Sequence, residues 1–133
     1  MKKKIIQFDK LSLFRKKFKS KKIVLCHGVF DVLHFGHIKH LQAAKEIGDI
    51  LIVSISSDKY VNKGPGRPFF KLDKRLETIS AIACVDFVVE SNYPDALTII
   101  KLLKPEFYCK GIEYKKFKDD ITGKISKEKK AIE

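Results

Sequence analysis

The sequence lacks any apolar run long enough to cross a membrane, and no secretory signal precedes its first apolar segment. It also lacks paired cysteines, because its three cysteines are widely spaced and include no CxxC pair. This pattern argues against a disulfide framework and disfavours a zinc site. We therefore interpret Cys26, Cys84 and Cys109 as small buried residues in a reducing compartment, and we predict a cytoplasmic protein without a membrane span.

Basic residues outnumber acidic residues at both ends of the chain. Residues 1–22 hold ten Lys or Arg and one Asp, and residues 115–133 hold seven Lys and four acidic residues. Residues 23–114 carry equal numbers of each sign, so the net charge of +12 lies in the terminal segments. Weak binding of polyanions by these basic ends stays open, but the balanced middle predicts no specific nucleic-acid partner.

Apolar runs alternate with amphipathic segments, which predicts an α/β fold: a Rossmann-like parallel sheet with helices on both faces. The predicted strands are Lys22–His27, Ile50–Ser56, Phe87–Val89 and Phe107–Lys110. The predicted helices cover residues 35–47, 73–83 and 94–103 of a domain that spans residues 21–133. Residues 1–20 form a basic N-terminal segment, predicted to be a short helix that packs through Leu11, Phe14 and Phe18. Binding to a membrane surface is the alternative for this segment.

The stretch from Gly28 to His37 lies between a predicted strand and a predicted helix. Helix starts attract anions, because their N–H groups and the positive end of the dipole point the same way. Gly36 would let a phosphate approach the backbone, and His34 and His37 are spaced to share one face of the first turn. We therefore predict a phosphate site here, the alternative being two ordinary polar residues at a strand end.

Two further segments are predicted to reach the same edge, because parallel sheets bind ligands at the carboxyl ends of their strands. The segment from Asn62 to Phe70 contains two glycines, two prolines, Lys63 and Arg67. It predicts a lid over a phosphate, the alternative being an ordinary surface loop. Arg75 lies in the first turn of the next predicted helix, where a cation is unfavourable unless an anion accompanies it.

Several motifs carry a resemblance to a known family. The segment His34-Phe35-Gly36-His37 resembles the HxGH signature of the cytidylyltransferase-like nucleotidyltransferases, and Gly28-Val29-Phe30-Asp31 resembles its G-x-F-D lead-in. The loop Lys63-Gly64-Pro65-Gly66-Arg67-Pro68 is similar to the K-G-x-x-R-P loop of heptose 1-phosphate adenylyltransferases. Val85-Asp86 and Lys110-Gly111-Ile112-Glu113-Tyr114 resemble the V-D and K-G-G-D-Y segments of that group. The resemblance covers about residues 21–125.

This resemblance implies an enzyme that transfers AMP or CMP from ATP or CTP to a phosphorylated sugar or polyol, with pyrophosphate leaving. It implies four catalytic residues that hold phosphate charge: His34, His37, Lys63 and Arg75. Arg67 would contact substrate from the loop. The implied nucleotide-binding residues are Gly28, Val29, Phe30, Asp31, Gly36, Asp86, Lys110, Gly111 and Tyr114. Mg²⁺ would enter with the triphosphate, without a dedicated set of protein ligands, and a homodimer is implied.

The favoured reaction is synthesis of an ADP-sugar of the heptose 1-phosphate type. Transfer of CMP to glycerol 3-phosphate is the alternative, because Ile112 and Glu113 depart from the family's glycine and aspartate. An inactive nucleotide-binding module and a basic nucleic-acid-binding protein are alternatives of other classes. Related proteins continue to a Ser/Thr-rich motif that is absent here, so the domain is expected to lack its last strand.

Overall fold

The computed structural model describes residues 4–61 and 66–110, in which strands and helices alternate. The strands are β1 (Ile5–Ile6), β2 (Ile23–Gly28), β3 (Ile50–Ser56), β4 (Phe87–Ser91) and β5 (Phe107–Lys110). The helices are α1 (Leu11–Lys17), α2 (Phe35–Ile47), α3 (Leu72–Ser80) and α4 (Leu97–Leu103), with 3₁₀ turns at Phe8–Lys10 and Asp58–Tyr60. Within this part of the chain, no helix has both the length and the apolar character needed to cross a membrane.

The strands form one sheet in the order β1-β4-β3-β2-β5, and every pairing is parallel. From β2 the chain steps outward to β3 and then to β4, after which it returns to place β5 on the other side of β2. The direction of winding therefore reverses between β2 and β5. Open parallel sheets bind ligands at the carboxyl ends of the strands at such a point.

Both faces of the sheet carry a hydrophobic core, because β2 and β3 bury side chains on both sides. All seven residues of β3 are buried, as expected for a central parallel strand. One face packs against Leu41 and Ala44 of α2 and Ile79 of α3. The other face packs against Leu11 of α1 and the apolar side of α4, namely Ile99, Ile100 and Leu103. The predicted parallel α/β sheet with helices on both faces is confirmed.

Two predicted helix starts differ from the structure. Helix α3 begins at Leu72 with Lys71 as its N-cap, so Asp73 lies inside the first turn and not at the cap. Helix α4 begins at Leu97, whose N–H donates to the Asp95 carboxylate at 3.0 Å. In both cases several polar residues precede the apolar face, so the sequence pattern does not single out one capping position.

The described part of the N-terminal segment belongs to the same sheet and core as the other described strands and helices. The predicted helix is present as α1, with Leu11 fully buried and Phe14 and Phe18 packed on the core. Strand β1, which was not predicted from the sequence, pairs with β4 through Ile5 opposite Val88. Two residues between lysine-rich stretches are too few to give a strand pattern, so only the tertiary pairing reveals β1.

Candidate functional site

His34 and His37 hydrogen-bond to the backbone at the start of α2. His34 is the N-cap residue, and its Nδ1 accepts the Gly36 N–H at 2.9 Å. His37 Nδ1 in turn accepts the His34 N–H at 3.2 Å, which completes a reciprocal capping box. The two ring centroids are 4.2 Å apart. The structure therefore brings the two histidines together as predicted, although His34 is the cap residue and only His37 lies in the first turn.

The capping bonds fix which ring nitrogen carries the proton. A neutral imidazole has one donor nitrogen and one acceptor nitrogen, and the hydrogen bond made by one assigns the role of the other. Since Nδ1 accepts a backbone N–H in both His34 and His37, Nε2 carries the proton in both rings. The pair therefore presents two Nε2–H donors on the sides of the rings away from the capped backbone groups.

The same bonds change the role predicted for Gly36. Its N–H is bonded to the His34 ring, and the His37 N–H donates to the His34 carbonyl oxygen at 3.0 Å. These two backbone donors are therefore engaged inside the helix start and do not point at a ligand. The donors available at the positive end of the α2 dipole are therefore imidazole N–H groups and not these two backbone amides.

Gly28, Val29 and Phe30 shape the turn that leads to the histidines. Phe30 has φ of +52° and is buried, and its ring centroid lies 6.0 Å from that of His37. A non-glycine residue in this left-handed region is uncommon and marks a turn that surrounding contacts must hold. A Cβ at Gly28 would come within 2.9 Å of the Phe30 ring. A side chain at position 28 would therefore displace the buried Phe30 ring, which is a packing reason for glycine, and the predicted contact of Gly28 with a nucleotide stays a prediction.

Asp31 fastens this turn to the segment that follows the predicted lid. Its carboxylate accepts the N–H groups of Phe69 at 2.7 Å and Phe70 at 2.9 Å, and it pairs with Arg67 Nη1 at 3.3 Å. Burial alone raises the pKa of Asp31, but the Phe70 and Phe69 N–H groups and then Arg67 outweigh it, and the pKa lies below its ordinary value. Both carboxylate oxygens are thus occupied by protein donors.

Arg75 is a buried guanidinium that joins three segments. Its Nε donates to Phe70 O at 2.9 Å, and its Nη1 donates to Val29 O at 3.0 Å and to Ser56 O at 2.7 Å. Its Nη2 pairs with Asp58 at 2.6 Å, and the residue is 1% exposed. Four of its five N–H donors are therefore used inside the protein. This arrangement corrects the predicted phosphate contact, because Arg75 positions the loops around the histidines.

Arg67 has a partly exposed side chain at the described end of the predicted lid. Its guanidinium carbon lies 4.1 Å from the centroid of the Phe69 ring, so the cation stacks on the aromatic face as well as pairing with Asp31. Phe69 is 63% exposed. The predicted role of Arg67 toward substrate stays a prediction. In the structure its guanidinium pairs with Asp31, and an anion of higher charge could replace that carboxylate.

Asp86 does not lie near the histidines. It accepts the Leu51 N–H at 2.8 Å and pairs with Lys45 at 2.6 Å. These contacts place it where β3 and β4 begin, whereas the histidines follow the carboxyl end of β2. The structure therefore corrects the nucleotide-binding role predicted for Asp86. The residue instead joins the starts of the strands to the last turn of α2.

Some predicted site residues lie outside the part that the structure describes. These are Lys63 of the lid, Gly111 and Tyr114. Lys110 is described as a strand residue, and it stands opposite His27 in the β2–β5 pairing. Among residues 4–61 and 66–110, no group of three or more His, Cys, Asp or Glu side chains could hold a metal ion.

Two polar contacts at this edge were not predicted from the sequence. His27 Nδ1 lies 2.7 Å from Ser54 Oγ, where the β2–β3 register sets the two residues side by side. Asp58 is the carboxylate partner of Arg75, just beyond the end of β3. A signal for Asp58 was present in the sequence, since a carboxylate that follows a buried parallel strand lies at the ligand-binding edge.

Comparisons with known proteins identify the family to which this chain is similar. A family model described as cytidylyltransferase-like matches residues 25–133. Bifunctional protein HldE of Campylobacter fetus subsp. fetus is 43% identical over 113 residues, which are 84% of this chain and 24% of that protein. The protein of the same name from a Nitratiruptor species is 38% identical over 133 residues, 97% of this chain and 29% of that protein. The chain thus spans about a quarter of the length of these curated relatives.

A solved structure is similar to this chain in its fold. The crystal structure of the lipopolysaccharide core biosynthesis protein from Thermoplasma volcanium GSS1 superposes with a TM-score of 0.61 at 32% sequence identity. The match covers 66% of this chain and 72% of that one.

Replacing Arg75 by lysine should lower the free energy of unfolding. Lysine has no planar fork, so it cannot serve Val29 O, Ser56 O and Phe70 O together, and buried acceptors would lose their donors. We expect Arg75→Lys to cost about 2–4 kcal/mol in urea unfolding. The exposed neighbour Lys74→Gln, as control, should stay within about 0.5 kcal/mol of the wild type. Unchanged stability of Arg75→Lys would contradict the positioning role.

Replacing Asp31 by asparagine should remove a pH-dependent part of the stability. The folded pKa of Asp31 is lowered, so its ionised form stabilises the protein above the unfolded pKa of about 3.9, and that contribution is lost as the pH falls through the folded pKa. Asp31→Asn should therefore be less stable than the wild type by about 1–3 kcal/mol at pH 7. The gap should shrink below about pH 4.

Urea unfolding of Asp31→Asn and of the exposed control Asp73→Asn between pH 3 and pH 7 measures this gap. A gap that stays constant over the whole range would show that the carboxylate charge of Asp31 contributes nothing to loop anchoring.

Proposed function

This chain belongs to the cytidylyltransferase-like family, and from that premise we propose that it is a nucleotidyltransferase. In the proposed reaction, a phosphate oxygen of the acceptor attacks the α-phosphorus of a nucleoside triphosphate. The bond from that phosphorus to the oxygen bridging to the β-phosphate breaks, and pyrophosphate leaves. Transfers of this kind need alignment and charge stabilisation more than covalent help from the protein.

The observation that carries the proposal is the capped pair of His34 and His37. Each ring is held by a backbone N–H at Nδ1, so its Nε2–H is a preoriented donor. Donors fixed before the reaction stabilise charge that develops in the transition state without reorganisation during the step. We assign His37 and His34 to the oxygens of the α-phosphate and of the leaving pyrophosphate, with the α2 dipole adding positive potential.

We propose ATP and a sugar 1-phosphate as the substrates. The loop that contains Arg67 resembles that of heptose 1-phosphate adenylyltransferases. The curated relatives are named bifunctional protein HldE, and the solved relative is named for lipopolysaccharide core biosynthesis, which points to carbohydrate chemistry. CTP with a polyol phosphate is the alternative that the assay below distinguishes.

Mg²⁺ is proposed to enter as part of the triphosphate substrate. Asp31, the buried carboxylate of the turn, already accepts protein donors at both oxygens, so direct coordination of a metal would compete with these bonds. A metal carried mainly by substrate phosphates and water fits this donor set. Lys63 and Arg67 of the lid are proposed to neutralise phosphate charge. Arg67 would leave its ion pair with Asp31 and bind the ligand phosphate. The homodimer and the cytoplasmic location stay predictions.

The His37→Ala variant tests the catalytic assignment. Loss of a preoriented donor to the reacting phosphate should lower kcat on the order of a hundredfold or more. The assay is pyrophosphate release in the presence of Mg²⁺, with ATP or CTP each offered against a panel of sugar 1-phosphates and polyol phosphates. We expect ATP with a sugar 1-phosphate to give the highest kcat/KM.

The control is His40→Gln, because His40 lies one turn further along α2 and its Nε2 has no hydrogen-bond partner in the described structure. This variant should keep wild-type turnover, and circular dichroism should confirm that both variants are folded. A folded His37→Ala protein with near-normal turnover would remove His37 from the mechanism. If no triphosphate releases pyrophosphate with any acceptor, the enzyme proposal itself is contradicted.

A further inference from the structure

Two cysteines lie opposite each other on the neighbouring strands β2 and β5. Cys26 of β2 is in direct register with Cys109 of β5, and residues paired in this way project from the same face of a parallel sheet. Cys26 is fully buried, whereas Cys109 is partly exposed and packs on the same core cluster. Cys84 also packs on this cluster, but it lies between α3 and β4.

We propose that Cys26 and Cys109 are a modification site that a peroxide converts into a reversible intramolecular disulfide. Neighbouring strands are about 4.8 Å apart. This spacing lies within the range of about 4.4–6.8 Å between Cα atoms that disulfides use. The pair is therefore close enough to bridge without separating β2 from β5. This inference goes beyond the proposed function and does not depend on it.

Cys109 is the thiol that reacts first. The Cys26 thiol donates a hydrogen bond to the Cys109 sulfur, and this bond lowers the pKa of Cys109 although burial opposes it. The same hydrogen bond, followed by burial, raises the pKa of Cys26 well above its ordinary value. Burial is the main cause that raises the pKa of Cys84. The thiolate is the nucleophile, so the partly exposed Cys109 is the best placed of the three.

The chemistry balances with one peroxide molecule. The Cys109 thiolate attacks a peroxide oxygen, the O–O bond breaks, and hydroxide leaves, which gives the sulfenic acid of Cys109. The Cys26 sulfur, as its proton passes to that hydroxide, then attacks the Cys109 sulfur and displaces a second hydroxide. This second hydroxide takes up the proton that the Cys109 thiol released on forming the thiolate and becomes water. Two thiols are oxidised by two electrons, the peroxide is reduced, and the products are one disulfide and two waters. A dithiol reductant reverses the step.

The disulfide would lie close to the carboxyl ends of β2 and β5. Cys26 and Cys109 are each one residue before the pair formed by His27 and Lys110, at the carboxyl ends of their strands. Strand β5 is the edge strand of the described sheet, held laterally by β2 alone. A covalent link here would fix the edge strand at the position where the winding of the sheet reverses.

The test maps disulfides in the native protein. The reduced full chain is treated with hydrogen peroxide, free thiols are blocked with N-ethylmaleimide, and the non-reduced digest is analysed by mass spectrometry. We expect loss of two of the three thiols, a linked peptide pair that contains Cys26 and Cys109, and full recovery of the thiols with dithiothreitol. The same treatment in urea should abolish the preference for this pair.

Two variants sharpen the result. Cys84→Ser should still form the disulfide, whereas Cys26→Ser should leave Cys109 as a sulfenic acid that dimedone captures. Should Cys26→Ser fail to fold, the wild-type map decides alone. A native disulfide that includes Cys84, disulfide-linked dimers, or Cys109 overoxidised beside an unmodified Cys26 would each overturn the proposal. Absence of any disulfide under peroxide would overturn it as well.

Discussion

Two backbone N–H groups at the start of α2 determine how both histidines of the site are oriented. The first turn of any helix leaves amide donors without helical partners, and here the rings of His34 and His37 accept two of those protons. Satisfying the backbone through Nδ1 leaves Nε2–H as the donor of each ring. A structural need, capping of a helix, thus creates a pair of fixed donors at the positive end of a helix dipole.

This arrangement depends on a second set of contacts beneath it. Phe30 enters the left-handed region just before the histidines, and such a turn persists only when neighbouring contacts hold it. Asp31 binds the backbone of the loop that follows the lid, and Arg75 binds the Val29 carbonyl of the turn and the Ser56 carbonyl at the end of β3. The charged residues of this region therefore mostly hold the loops in place. The ligand contacts proposed for His34, His37 and Arg67 depend on this framework.

The sequence was sufficient for the features that local pattern determines. Strands β2, β3 and β5 and helix α2 follow from apolar runs and helical spacing, and the site follows from the strand-to-helix turn that bears His34 and His37. The roles of Asp31, Arg75 and Asp86 could not be read in this way. Each is fixed by partners far along the chain: Asp86 bonds to β3, 35 residues away, and Arg75 bonds to Val29, 46 residues away. A motif gives the position of a charged residue, but only the fold shows whether its donors and acceptors are already used.

The most direct test of this account is the tautomeric state of the two rings, read from two-bond ¹H–¹⁵N correlations of the ¹⁵N-labelled protein at a pH where the histidines are neutral. His40 serves as the reference, and the signals are assigned with His34→Gln and His37→Gln variants. The account predicts that Nδ1 is unprotonated and Nε2 protonated in both His34 and His37. A protonated Nδ1 in either ring, or averaging of the two tautomers, would contradict the claim that capping of α2 orients the donors of the site.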